Sequence, residues 1–207
     1  MIASDRISAF DVILPSPIPY KGQVLSQLSS FWFKKTKDII YNHLIYAPHP
    51  NIMVVKNAKL IPIEMVVRGY ITGVTGTSIW GSYEKGDRII YGIRFKNGLR
   101  KNQKLQKPII TPTTKAATGH DKRLTKEEII KNKIVSEKIY EKMEKVSLRL
   151  FERGTKICNI KGLILVDTKY EFGLDKNNNL ILIDEVHTPD SSRFWIKKTY
   201  KQRFSKG

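Results

Sequence analysis

The chain has 207 residues, 41% of them hydrophobic and 10% aromatic, which is enough apolar mass for a packed core and too much for intrinsic disorder. Its 37 Lys and Arg against 19 Asp and Glu give a net charge of +18. A single cysteine, Cys158, excludes a disulfide framework, and no apolar run reaches the roughly 18–20 residues a membrane helix needs. The opening Met1-Ile-Ala-Ser-Asp5 has neither the basic nor the apolar stretch of a secretory signal, so the expected setting is the cytoplasm. The basic residues lie in short clusters such as Lys34-Lys35 and Lys197-Lys198, not in one tract. The net charge suits a nucleic-acid binder or a surface that steers small anions into a cleft, the scatter weakens the first reading, and motifs must decide between them.

In chain order, residues 11–22 are proline-rich and predicted irregular, because each proline removes a donor and restricts its predecessor. Val24, Leu25, Leu28, Phe31 and Trp32 recur at three- and four-residue spacing and predict an amphipathic helix. Residues 52–55 and 64–67 read as strands, with 57–62 as a connector between lobes. Residues 84–111 carry turn signals and read as loops with a short hairpin. Thr125-Lys-Glu-Glu128 is a capping box that opens a helical region, divided near Ser136 and predicted to stop at Gly154. Two strands, 163–172 and 180–185, follow, and the chain then turns polar and basic to its end.

The last strand pair is the most informative stretch. The two-residue period of a strand puts Asp167, Lys169 and Glu171 on one face and Tyr170 and Phe172 on the other. A two-residue turn at Asn177-Asn178 would set Glu171 directly opposite Asp184. Facing carboxylates need a cation between them, either Mg²⁺ carrying nucleotide phosphates or neighbouring lysines on a solvated face. The segment Thr72-Gly-Val-Thr-Gly-Thr-Ser78 can receive a phosphate through its glycines and hydroxyls, or be an ordinary polar turn. It is not a Walker loop. Lys115 and His120-Asp121 lie in an irregular loop with several potential ligands. The four histidines show no metal-type spacing, and Cys158 reads as a small core residue.

Four collinear blocks go further: Ser4-Asp-Arg-Ile-Ser-Ala-Phe-Asp11, Ile61-Pro-Ile-Glu-Met-Val-Val-Arg-Gly69, Leu165-Val-Asp-Thr-Lys-Tyr-Glu-Phe-Gly173 and Asp184-Glu-Val-His-Thr-Pro-Asp-Ser-Ser-Arg193. In order, and across essentially the whole chain, they resemble the SAICAR synthetase family. The resemblance implies an α+β fold of two lobes, ATP-grasp- or kinase-like. Residues 1–60 would form an incomplete N-terminal antiparallel β nucleotide lobe, and residues 61–207 an α/β lobe lacking its helical end. It also implies an ATP- and Mg²⁺-dependent ligase of purine biosynthesis that joins carboxyaminoimidazole ribotide (CAIR) to L-aspartate.

By the same resemblance, Ser8, Asp11, Arg68, Asp167, Lys169 and Arg193 form the ribotide set, with Asp167 and Lys169 nearest the chemistry. Glu171 and Asp184 are the Mg²⁺–ATP carboxylates, Lys115 meets the nucleotide, and the backbone of Lys59, Leu60 and Ile61 meets adenine. Where the family has serine, this chain has Val74, and Thr75 or Thr77 is the expected substitute. Family members also begin earlier, with a glycine-rich G-K-x-K segment, and continue further. The resemblance therefore implies weak or no ligase activity for these 207 residues as written. A basic nucleic-acid module and an inactive ribotide-binding remnant are the alternatives. Oligomeric state is left open.

Overall fold

A computed structural model of the chain describes residues 1–9, 12–115 and 121–206. Strands β1 (Ser8–Ala9) and β2 (Val12–Ile13) pair antiparallel and lead to helix α1 (Lys21–Thr36). Tyr20 caps α1 from the left-handed region at φ 66° and offers no side-chain acceptor. The acceptor comes from Asp5, which takes hydrogen bonds from the Tyr20 N–H (3.1 Å) and the Gly22 N–H (2.9 Å). Residue 22 must be glycine, because a Cβ there would lie 2.2 Å from the Ala3 carbonyl oxygen.

The helix is where periodicity put it, but its inner face is not. Trp32 and Phe33 enter the core beside Ser26, Ser29 and Ser30, whereas Val24 and Phe31 are exposed. The two large aromatics bury the most area and set the rotation, and the small serines let the backbone approach.

A ribbon of β3 (Leu44–His49) and β4 (Ile52–Val55) precedes the long β5 (Lys59–Ile71). The connector predicted over 57–62 is therefore mostly strand. Pro62 is tolerated because three β5 residues, 61–63, oppose the single residue Phe172 across a bulge. Helix α2 (Ile79–Glu84) and the hairpin β6 (Ile89–Ile90) and β7 (Ile93–Arg94) follow. Then β8 (Gln103–Ile110) forms a strand where loops were predicted. Among the described residues it pairs only with β5, and an edge strand needs neither apolar alternation nor the missing N–H of Pro108.

After β9 (Thr113–Thr114), the Thr125 capping box opens α3 (Lys126–Lys131) and Ser136 caps α4 (Glu137–Ile160). The break at Ser136 is as expected, but α4 runs through Gly154 to Ile160. Gly154 is small for another reason: a Cβ there would meet His187 Cε1 at 2.4 Å. The chain closes with β10 (Leu163–Leu174), β11 (Leu180–Ile183), β12 (Ser192–Ile196) and helix α5 (Lys197–Lys206). The last two occupy the stretch that reads only as polar and basic.

The main sheet runs β11-β10-β5-β8, with β12 also on β10 and β9 on β5, all antiparallel. Helix α4 covers one face. Tyr140, Met143, Leu150 and Phe151 pack there on Ile63, Met65, Val67, Tyr170 and Phe172. Each such buried side chain stabilises the fold by about 1.5–3 kcal/mol, so this face cannot slip by one residue. The opposite face of β5 and β10 is thereby committed to Glu64, Arg68, Asp167, Lys169 and Glu171. Among the described residues no helix is long and apolar enough to cross a membrane.

Candidate functional site

The β5–β10 register sets Asp167 against Arg68 and Glu171 against Glu64. On the other edge of β10, Asp167 lies opposite Arg193 of β12. One carboxylate therefore has two guanidiniums around it: Arg68 Nη1 at 3.6 Å and Arg193 Nε at 3.4 Å. Burial raises the Asp167 pKa, and the two arginines only partly offset this. Its Oδ2 is buried and accepts no hydrogen bond.

Arg68 is itself 5% exposed, and its donors are engaged. Nε donates to Thr111 Oγ1 (2.8 Å) and Nη2 to the Thr77 carbonyl oxygen (3.3 Å). It therefore holds Asp167 and the loop after β5 in place, while the half-exposed Arg193 is the guanidinium that faces outward. Gly73, at φ 96°, brings that loop against Arg193, with a Cβ position 3.6 Å from both terminal nitrogens. Thr75 and Thr77 sit in the same loop, and Val74 is 78% exposed.

Lys169 opens a second cluster two residues further along β10. Its ammonium donates to Glu64 Oε1 (2.7 Å) and Glu171 Oε1 (3.2 Å). Burial works against the Lys169 charge, but Glu64, Glu171 and Asp184 outweigh it and raise the pKa. Lys115 pairs with the other oxygen of Glu171, and Thr113 donates to Glu64 Oε2 (3.2 Å). For Glu171, burial is outweighed by the hydrogen bond from Lys115 and the charge of Lys169, and its pKa falls. Asp184 goes the other way, pushed up to about 6 by burial and by the charges of Glu171 and Glu185.

Asp184 reaches this cluster by a route different from the predicted one. Glu171 lies opposite Ile183, one residue short of the expected register. The turn holds three residues instead of two, because Asp175 Oδ1 accepts from the N–H groups of Asn177 (2.8 Å) and Asn179 (2.9 Å). Asn178 takes the left-handed position at φ 59°. Asp184 then leaves the strand at φ 65° and brings its carboxyl within electrostatic reach of Glu171.

Among the described residues no group of three or more His, Cys, Asp or Glu is arranged to hold a metal unaided. Magnesium bound through one or two carboxylates plus phosphate oxygens needs no such cage, and the strain on Asp184 is what an added cation would relieve.

Lys59 and Leu60 start β5 at the surface, with Ile61 buried behind them. Ser8 pairs with Ile13 in the first hairpin and makes no hydrogen bond or ion pair with the arginine cluster. Asp11 and His120 lie outside the described residues. Glu64, Glu185 and Thr113 were not singled out from the sequence. A signal existed for Glu64, since it shares a strand face with Arg68 at even spacing. For the others, only tertiary pairing reveals the contact.

The family model for SAICAR synthetase matches residues 1–207. The chain belongs to the SAICAR synthetase family. A phosphoribosylaminoimidazole-succinocarboxamide synthase of Legionella pneumophila is 49% identical over all of this chain and 66% of its own length. A chloroplastic enzyme of that name from Vigna aconitifolia is 48% identical over all of this chain and 60% of its own. The chain thus spans a little under two thirds of these relatives. Among solved structures, the SAICAR synthase of Saccharomyces cerevisiae complexed with SAICAR superposes with a TM-score of 0.84 at 36% identity. That match covers 96% of this chain and 70% of the yeast one. A SAICAR synthetase in complex with ADP gives 0.78 at 30% identity, over 100% and 83%. The α+β fold is that of SAICAR synthetases, and nothing in these similarities points to nucleic acid.

Proposed function

We propose that the chain carries the ribotide and Mg–ATP sites of an ATP-dependent ligase that joins CAIR to L-aspartate, giving SAICAR, ADP and phosphate. The observation that carries this reading is the single strand face on which Asp167 with its two arginines and Glu171 with its two lysines lie four residues apart. A carboxylate reacts poorly with an amine because its leaving group would be oxide. Transfer of a phosphoryl group onto it provides phosphate as the leaving group, and fixed cations stabilise the charge that passes between oxygens.

In this reading Arg193, Thr75 and Thr77 receive the ribotide phosphate, and Arg68 positions them. Asp167, whose Oδ1 lies beside the half-exposed Arg193, belongs to the same ribotide set, which Ser8 and Asp11 complete. Glu171 and Asp184 hold Mg²⁺, whose chemistry is to screen the nucleotide phosphates. Lys115 serves the nucleotide, and the backbone of Lys59, Leu60 and Ile61 serves adenine. The chain divides by role near residue 60, into part of a nucleotide lobe (1–60) and the α/β lobe (61–207). The cytoplasm is the proposed compartment.

Calorimetry with CAIR and with Mg–ATP tests the reading. Two saturable heats are expected. Heat from the ribotide alone reduces the chain to a ribotide-binding remnant, and heat from neither overturns the assignment.

A further inference from the structure

The loop at residues 75–78 is held from behind by two residues that no motif marks. The Tyr91 hydroxyl donates to the Thr77 carbonyl oxygen at 2.8 Å, sharing it with Arg68. Arg123 Nη2 donates to the carbonyl oxygens of Gly76 (2.7 Å) and Ser78 (3.1 Å). The Arg123 guanidinium also lies 5.4 Å from the centroid of the Tyr91 ring. Three successive carbonyls are thus turned toward one set of donors. In a trans peptide the C=O and the following N–H point opposite ways, so the Thr77 N–H is turned to the other side, while the Ser78 N–H closes the turn on the Thr75 carbonyl oxygen at 2.9 Å. An anion needs such a surface, since exposed carbonyl oxygens would repel it.

The backbone at Tyr91 is strained. Tyr91 and Gly92 form the two-residue turn of the β6–β7 hairpin, at φ 56° and 74°. Such a turn favours asparagine or glycine at its first position, and a tyrosine there is kept at a conformational cost. Arg123 is fixed in turn by its bridge to Thr113 of β9, two residues before Lys115.

Resting on the ribotide reading above, we propose that Tyr91 and Arg123 are positioning residues that orient the 75–78 loop for the substrate's phosphate. The test compares binding of the phosphorylated ribotide with that of its dephosphorylated nucleoside, by calorimetry on the full chain. The unaltered chain should favour the ribotide. Y91F and R123M should each cut that preference about tenfold, the scale of one lost hydrogen bond, with Mg–ATP affinity unchanged. Y91N should lose the same preference while melting at the same or a higher temperature, because asparagine accepts the turn without strain. An undiminished preference in Y91F and R123M overturns the proposal. So does a loss that tracks the melting temperature and Mg–ATP affinity together. An unaltered chain that binds no ribotide overturns the site reading itself, and this proposal with it.

Discussion

At one end of the β10 face two guanidiniums, Arg68 and Arg193, surround the single carboxylate of Asp167. Four residues along the same strand the proportions invert, and Glu64, Glu171, Asp184 and Glu185 share the ammonium groups of Lys115 and Lys169. The backbone that presents the two clusters is the same, and so is the helix behind it. The difference lies in which charge is left over, and it teaches that one strand can serve two ligands of opposite appetite. A surplus of cation suits a bare phosphate. A surplus of carboxylate suits a phosphate that arrives with its own metal.

The sharpest way to break the contrast is to remove Arg68. R68M leaves Asp167 buried without its inner partner, so a loss of about 3–5 kcal/mol is expected in urea denaturation. The double variant R68M/D167N should recover part of it, and no recovery would mean the pair is not what Arg68 stabilises. Next in size is G154A, which drives a methyl into His187 and should cost up to about 3 kcal/mol. Because His187 Nε2 is hydrogen-bonded to the Tyr170 hydroxyl of β10 at 2.5 Å, ribotide and Mg–ATP binding should weaken together.

E171Q sharpens the comparison from the acidic end. Mg–ATP affinity should fall by tenfold or more, with ribotide affinity changed far less, and equal losses would count against the metal assignment. Acid tests the frame that both clusters share. Burial holds His187 neutral, with its pKa lowered to about 3, and His43 likewise at about 4. The unfolded chain binds protons near 6.5 that the fold refuses. Stability should therefore be full above pH 6.5 and decline as the pH falls toward 4, by at most about 1.4 kcal/mol per pH unit for each histidine. Denaturation midpoints at pH 7 and 5 measure this, and H187Q should flatten the slope.

Local signals were legible where local physics decides. The capping box at Thr125, the break at Ser136 and the alternation of residues 167–172 all emerge as read. The failures are long-range, apart from one turn. Gly154 looks like a helix stop until His187 is seen against it. The register of β11 moved by one because the Asp175 side chain captured two turn amides, a choice that spacing between strands cannot reveal. β8 and β12 lack the apolar alternation of a half-buried strand, so only their pairing with β5 and β10 exposes them. Arg193 was assigned from a motif, and its place beside Asp167 depends on that unseen strand.

The carboxylate that begins α1 belongs to the segment leading into Ser8, not to the helix it serves. Fraying of the first helical turn and detachment of the amino-terminal arm are consequently a single event. Asp5→Ala should unfasten both at once, seen as joint loss of amide protection in residues 3–9 and 21–25.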